Sequence, residues 1–214
     1  MKINSEMEKD KYIQDLADIK NMMERSSRFI SLSGLSGVFA GIFAIIGAYL
    51  AWGILYHFDY YFMREFVTYL PKMVLVKLAL VGAAVLGLSL ISGMLLTQQR
   101  AKKQGRTIWD ETAKRLVINL AVPLITGGLF LLILLAKGFV GIVAPGMLIF
   151  YGLALINASK YTVTDIKILG FAEIAIGLIA TYFIGYGFFF WAFGFGVLHI
   201  VYGIWMYLKY EKGE

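Results

Sequence analysis

The sequence predicts an all-α polytopic membrane protein, a bundle of six transmembrane helices with an N-terminal cytoplasmic amphipathic helix. Six stretches of about 20 apolar residues follow residue 27, and a helix of that length crosses the hydrocarbon core of a bilayer. The chain is 59% apolar, which is too much for a globule that faces water. Open sheets and irregular chain are excluded because their backbone polar groups stay unsatisfied in lipid.

The apolar stretches place the six spans at residues 28–52, 72–97, 113–136, 139–158, 163–184 and 188–208. Together they form one transmembrane domain over residues 28–210. Residues 1–27 are mostly polar, but they carry apolar residues at helical spacing: Ile13, Leu16, Ile19 and Met23. That period predicts a helix lying on the membrane surface or on the bundle.

The basic residues fix the predicted orientation. Sixteen of the 20 Lys and Arg residues fall on the side of the two termini, and the other side holds only Arg64, Lys72, Lys77 and Lys137. The positive-inside rule therefore puts both termini in the cytoplasm and makes the lipid bilayer the main partner. The net charge of +6 does not predict nucleic-acid binding, because the charges lie between apolar segments. The absence of cysteine excludes disulfides and thiolate metal sites.

Small residues mark predicted helix-packing faces. Glycine lets two helix backbones approach closely in a membrane. The faces are Gly37 and Gly41 in the first span, Gly170, Gly177, Ala180 and Thr181 in the fifth, and Gly196 and Gly203 in the sixth. We expect them to meet other helices of the bundle, with a homo-oligomer through glycine faces as the alternative.

A faint internal repeat relates consecutive pairs of spans. A glycine in the third span and one in the fourth are 24 residues apart, and the corresponding pair in the fifth and sixth is 26 apart. The first and fifth spans align without gaps. The aligned glycines are Gly128–Gly152 with Gly177–Gly203, Gly34 with Gly170, and Gly41 with Gly177. The pattern predicts three related hairpins.

Glu173 and His199 are the ionisable residues expected near mid-membrane. Glu173 lies about 15 Å deep in the fifth span, and His199 about 14 Å deep in the antiparallel sixth span. Charged groups at this depth face the bundle interior and pair with one another. We therefore expect their polar atoms within about 3–4 Å of each other, or bridged by one water. The pair is either a ligand or proton site, or a structural contact that fixes the last hairpin.

Asn119 is the third candidate residue of a ligand or proton site. Pro123 lies four residues further along the third span and cannot donate a hydrogen bond to the Asn119 carbonyl. The freed carbonyl and the Asn119 amide put polar atoms at one depth, where they can line a cavity.

No catalytic, metal or cofactor site is predicted. The chain lacks the G-x-S-x-G and H-E-x-x-H motifs of serine hydrolases and zinc proteases, so we expect a protein that is not an enzyme. One hypothesis is a small channel or proton-linked transporter that uses the buried Glu/His pair. The other is a non-enzymatic structural or regulatory membrane subunit, which binds a cytoplasmic protein partner through the basic surface at residues 98–115.

The chain also resembles uncharacterised six-span integral membrane proteins of Bacteroidota-type bacteria. The resemblance rests on the stretch Asn157-Ala158-Ser159-Lys160-Tyr161-Thr162 and on the aromatic and glycine-rich run from Phe190 to Gly203. It implies a bacterial inner (cytoplasmic) membrane location and carries no established activity.

Overall fold

The computed structural model describes residue 14 and residues 33–57, 70–105 and 109–212. Within these ranges the chain forms six long helices and no strand. We label them α1 (Gly34–His57), α2 (Lys72–Lys103), α3 (Glu111–Ala136), α4 (Val143–Ala158), α5 (Ile166–Tyr182) and α6 (Gly187–Tyr210). The amphipathic helix predicted at residues 1–27 lies outside the described residues, apart from residue 14.

The fold is helical as expected, and each of the six helices overlaps one predicted span. However, α1 continues to His57 and α2 to Lys103, beyond the predicted ends at residues 52 and 97. Five of them are long and apolar enough to cross a membrane: α1, α2, α3, α6 and α4 with its flanking 3₁₀ turns, Val140–Tyr161. The remaining helix, α5, has 17 residues. It is therefore about 26 Å long, slightly less than a hydrocarbon core of about 30 Å. Six membrane crossings remain a prediction.

The helix ends follow from local sequence. Asp110 caps α3 by accepting a hydrogen bond from the Ala113 N–H at 2.6 Å, as a short acidic side chain does at an N-cap. The turn between α5 and α6 contains Gly185 with φ of 100°, and the turn after α3 contains Gly138 with φ of 85°. Only glycine adopts these angles without strain, so both chain reversals depend on it.

The helices form a row in the order α2, α1, α6, α5, α4, α3, in which α6 also packs against α4. The two outer helices, α2 and α3, each pack mainly on one neighbour. Their remaining surfaces are apolar and exposed, as expected for helices that face lipid or another protein.

Glycines form the tightest helix contacts of the row. A Cβ atom at Gly34 would lie 2.6 Å from the Gly203 carbonyl oxygen, and one at Gly170 would lie 2.8 Å from the Gly152 carbonyl oxygen. The glycine faces predicted on α1, α5 and α6 are thus covered by other helices of the same chain. This packing matches the first of the two roles expected for them.

The C-terminal end of α6 is bound to three other helices. Glu211 accepts hydrogen bonds from the Gly34 N–H and, at 3.2 Å, from the Ser33 hydroxyl. Its Oε1 lies 3.4 Å from Arg100 Nη1 of α2. On the other side, Asp165 before α5 accepts hydrogen bonds from Lys209 at 2.6 Å and Tyr210 at 2.5 Å. These contacts fix α6 between α1, α2 and α5.

Candidate functional site: a buried Glu–His–Tyr cluster

Glu173 lies on the side of α5 that packs against α6, and its side chain is fully buried, with 0% exposure. The carboxyl group lies over Gly194 of α6. A Cβ atom at position 194 would come within 2.6 Å of both Glu173 Oε2 and Leu148 Cδ2. The missing side chain of Gly194 therefore provides the space that the carboxyl occupies.

His199 is positioned beside this carboxyl by an irregular segment of α6. Residues Ala192–Leu198 are π-helical, and such wide turns occur frequently at functional sites. The His199 backbone N–H donates to the Gly196 carbonyl, and the imidazole Nδ1 lies 3.0 Å from the Gly194 carbonyl oxygen. Nδ1 is also 3.5 Å from Glu173 Oε1. The predicted proximity of Glu173 and His199 is therefore confirmed.

Tyr151 of α4 completes the cluster. Its hydroxyl oxygen lies 2.7 Å from His199 Nε2. The Tyr151 ring packs 5.3 Å from the imidazole, and the Phe195 ring stacks on the imidazole at 5.9 Å. Three helices thus hold the imidazole, with one ring nitrogen toward α4 and the other toward α5.

The hydrogen-bond partners define the protonation pattern of the imidazole. The Gly194 carbonyl is only an acceptor, so Nδ1 carries a proton and donates to it. In the neutral ring Nε2 is then the acceptor, and the Tyr151 hydroxyl donates to it. His199 therefore connects a hydroxyl donor on one side with the Glu173 carboxyl on the other.

The Glu173 carboxyl has no hydrogen bond within the described part of the chain. Its 3.5 Å distance from His199 Nδ1 is longer than a good N–H···O bond, which is about 2.9 Å. A buried carboxylate without donors carries a desolvation cost of several kcal/mol, which a bound proton or cation removes. The Glu173 carboxyl is therefore a group that a bound proton or cation would stabilise.

The structure does not bring Asn119 to this cluster. Its amide donates to the Arg115 carbonyl of the same helix at 2.8 Å. Its backbone carbonyl, left free by Pro123, accepts a hydrogen bond of 2.9 Å from the Asn157 amide of α4. The polar atoms around Asn119 therefore join α3 to α4.

Tyr151, Gly194 and the π-helical segment were not among the predicted site residues. Tyr151 and Asn157 are the polar residues of the fourth apolar stretch, and polar side chains inside a span are a signal of packing or function. That signal could have identified Tyr151. The π turn has no comparable signature in a run of aromatic residues and glycines.

A groove around the turn between α5 and α6 does not include Glu173 or His199. It has a volume of about 630 Å³ and is lined by Phe183, Tyr186, Phe189, Phe190 and Phe193, around the turn between α5 and α6. Phe193 directly precedes Gly194, so the groove ends next to the wall of the cluster. It is an apolar surface rather than a polar pathway.

The basic surface predicted at residues 98–115 is only partly available to a partner. Arg100 is buried, with 6% exposure, and donates to the Tyr210 carbonyl at 2.9 Å. Lys114 pairs with Glu111 at 2.7 Å. Lys102, Lys103 and Arg115 are exposed.

A search of protein-family models, of curated proteins and of solved structures finds no match to this chain. The fold and its apolar helices define a helical membrane protein. Its function must be argued from the cluster itself.

Proposed function

We propose that the protein is a small proton-linked transporter or proton channel of the bacterial inner membrane, in which Glu173 and His199 hold the moving proton. One observation carries the proposal. The Glu173 carboxyl is fully buried, has no hydrogen bond within the described residues, and lies 3.5 Å from a ring nitrogen of His199. A carboxyl that served only to join helices would be expected to have donors.

The geometry supports a two-sided transfer through the imidazole. A proton that arrives at Nε2 from the Tyr151 side makes the ring cationic, and the ring then releases the proton on Nδ1 toward Glu173. The transfer leaves a proton on Nε2 and none on Nδ1, so the starting state returns only after Nδ1 gains a proton and Nε2 releases one. Because no step forms or breaks a bond other than those to protons, the proposed activity is not enzymatic.

The proposal includes six membrane crossings with both termini in the cytoplasm. Its support is that α5 packs lengthwise on α4, a helix that is long and apolar enough to span. A 17-residue helix so placed is at the lower limit of spanning lengths, about 17–25 residues. Reporter fusions at both ends and between α1 and α2, at residues 58–69, test this. A periplasmic signal from either terminus would overturn the orientation.

Proton flux into liposomes tests the activity. The purified protein is reconstituted with a trapped pH-sensitive dye, and a pH gradient is applied. Wild-type protein should dissipate the gradient, whereas Glu173→Gln should not, although it unfolds at the same temperature in detergent. Glu111→Gln, a change at an exposed carboxyl, is the matched control and should retain the flux.

Two results would refute the transport proposal. One is wild-type protein that passes no proton at any gradient or with any common cation added. The other is Glu173→Gln protein that retains the flux. The first would favour the hypothesis of a non-enzymatic regulatory subunit, and pull-down with the exposed Lys102 and Lys103 replaced would then be the next measurement.

A further inference from the structure

Two helix pairs of the row, α1–α6 and α4–α5, cross at glycines. One helix of each pair carries the same motif. In α1 the motif is Gly34, Val38 and Gly41, and in α5 it is Gly170, Ile174 and Gly177, with identical spacing. Each first glycine meets the backbone of the opposite helix, and each last glycine meets an isoleucine. A Cβ atom at Gly41 would lie 2.7 Å from Ile200 Cγ1, and one at Gly177 would lie 2.7 Å from Ile149 Cγ1.

The opposite side of each crossing also repeats. In α6 it is formed by Gly196, Ile200 and Gly203, and in α4 by Pro145, Ile149 and Gly152. A Cβ atom at Gly203 would lie 2.9 Å from Val38 Cγ2, and one at Gly152 would lie 2.7 Å from Ile174 Cγ1. The α1–α6 and α4–α5 crossings are therefore equivalent contact by contact. Both crossings join the first helix of one predicted hairpin to the second helix of another, as a repeat of three related hairpins would produce.

The remaining helices, α3 and α2, carry the two sides of the same motif, and on both helices the motif is exposed. In α3 the spacing is matched by Ala121, Ile125 and Gly128, and in α2 the opposite half is matched by Gly82, Leu86 and Ser89. Ile125 is 60% exposed and Leu86 is 61% exposed. No atom of another helix lies within 4 Å of a Cβ position at Gly82 or Gly128. Within the described residues of one chain, α2 and α3 therefore do not form the third crossing.

We propose that a second copy of this chain completes the third crossing, with α2 of each copy packed against α3 of the other. The repeat itself identifies the occupant. In the two crossings that form within the chain, the motif that α3 carries packs against the motif that α2 carries. Each of these helices is held on another helix of its own chain: α2 by Arg100 with Glu211 at the end of α6, and α3 by Asn119 with Asn157 of α4. Two copies related by a twofold axis satisfy both faces at once and leave no open end.

The chain has no cysteine, so disulfide cross-linking in native membranes tests the pairing directly. Ser89 and Ile125 are equivalent to Gly203 and Val38, which lie in contact, so cysteines at these two positions can reach disulfide distance. Ser89→Cys and Ile125→Cys are placed on separate copies with different tags and co-expressed. Oxidation should give a covalent dimer of twice 24.0 kDa that carries both tags. Thr126→Cys, one residue further and on another side of α3, replaces Ile125→Cys as the control and should give none.

A single chain that carries both Ser89→Cys and Ile125→Cys distinguishes the closed pair from the other possible arrangements. A covalent dimer without larger species supports the closed pair. A ladder of larger species would mean an open filament, a fast-moving monomer would mean that α2 and α3 meet within one chain, and no cross-link would mean that lipid covers both faces. Each of the last three results overturns the proposal.

A steric variant gives a second test without cysteines. Gly82→Leu should reduce the dimer fraction by about tenfold or more, because overpacking a tight contact costs about 1–3 kcal/mol. Gly87→Leu lies on another side of α2 and also has open space. It should leave the dimer intact, and equal dimer fractions for the two variants would refute the closed pair.

Discussion

Two glutamates with little exposed side-chain surface have opposite environments in this protein. Glu211, whose side chain is 12% exposed, accepts hydrogen bonds from Ser33 and Gly34 and lies beside the Arg100 guanidinium. Glu173, with 0% exposure, has no hydrogen bond within the described residues, and the His199 Nδ1 atom lies 3.5 Å from its carboxyl. Glu211 has the environment of a structural carboxylate, since its charge is compensated. Glu173 has the environment of a group that a bound proton would stabilise.

The largest expected effect comes from applying one substitution to both glutamates. Glu211→Gln removes the negative charge beside the buried Arg100 guanidinium, and should lower the free energy of unfolding by about 3 kcal/mol or more. Glu173→Gln keeps the volume and removes no hydrogen bond, so it should change that energy by no more than about 1 kcal/mol. Thermal unfolding in detergent, followed by size-exclusion fluorescence, measures both. Equal losses for the two variants would contradict the distinction.

Gly194→Ala should have the next largest effect. The added methyl group would lie 2.6 Å from Glu173 Oε2 and Leu148 Cδ2, and overpacking of this kind costs about 1–3 kcal/mol. Gly53→Ala, where no atom lies within 4 Å of the Cβ position, is the control in another helix and should not lower the unfolding temperature. If Gly194→Ala is as stable as the control, then the carboxyl does not depend on the glycine for its space.

The sequence was sufficient to predict the helices and the proximity of Glu173 and His199, because both depend on local properties. A run of apolar residues sets helix length, and matching depth on antiparallel neighbours brings two side chains together. It was not sufficient to predict what surrounds them. Tyr151 comes from a helix that is distant in the sequence, and its role requires a knowledge of how α4 and α6 pack.

The Arg100–Glu211 contact was missed for a similar reason. Arg100 belongs to a cluster of basic residues that predicts a solvated surface on membrane topology grounds. Only the packing of the last turn of α6 against α1 and α2 shows that its guanidinium is buried. The Asn119 hypothesis identified the freed carbonyl, and the structure shows that Asn157 satisfies it.

Tyr151→Phe should have a smaller effect, which tests the third member of the cluster. The variant removes the donor to His199 Nε2 and leaves a buried acceptor, which costs about 1 kcal/mol. It should also slow proton flux if the hydroxyl supplies the proton. Tyr182→Phe, a change at an exposed tyrosine, is the control. Unchanged flux and stability in Tyr151→Phe would remove the hydroxyl from the proposed path.

The smallest expected effect concerns Asp165, the carboxylate that directly precedes α5. Burial raises the pKa of Asp165, but hydrogen bonds from Lys209 and Tyr210 and the Lys209 charge outweigh it, so the pKa lies below its usual value of 3.8. A depressed pKa means that the folded state holds the charged form more strongly than the unfolded state does. Its contribution is therefore fully present above about pH 4 and is lost as the pH falls through the folded pKa. Because Lys209 is 44% exposed, the contribution should be no more than about 1 kcal/mol.

The measurement compares wild type with Asp165→Asn by thermal unfolding between pH 7 and pH 3. The wild type should be more stable at pH 7, and the difference should shrink toward the acid end as Asp165 takes up a proton. Other carboxylates titrate in both proteins, so their effects cancel in the difference. A gap that stays constant or widens toward low pH would show that Asp165 contributes through packing alone. A gap that closes as expected would place Asp165 with Glu211, as a carboxylate whose charge the fold compensates, and would leave Glu173 as the contrasting case.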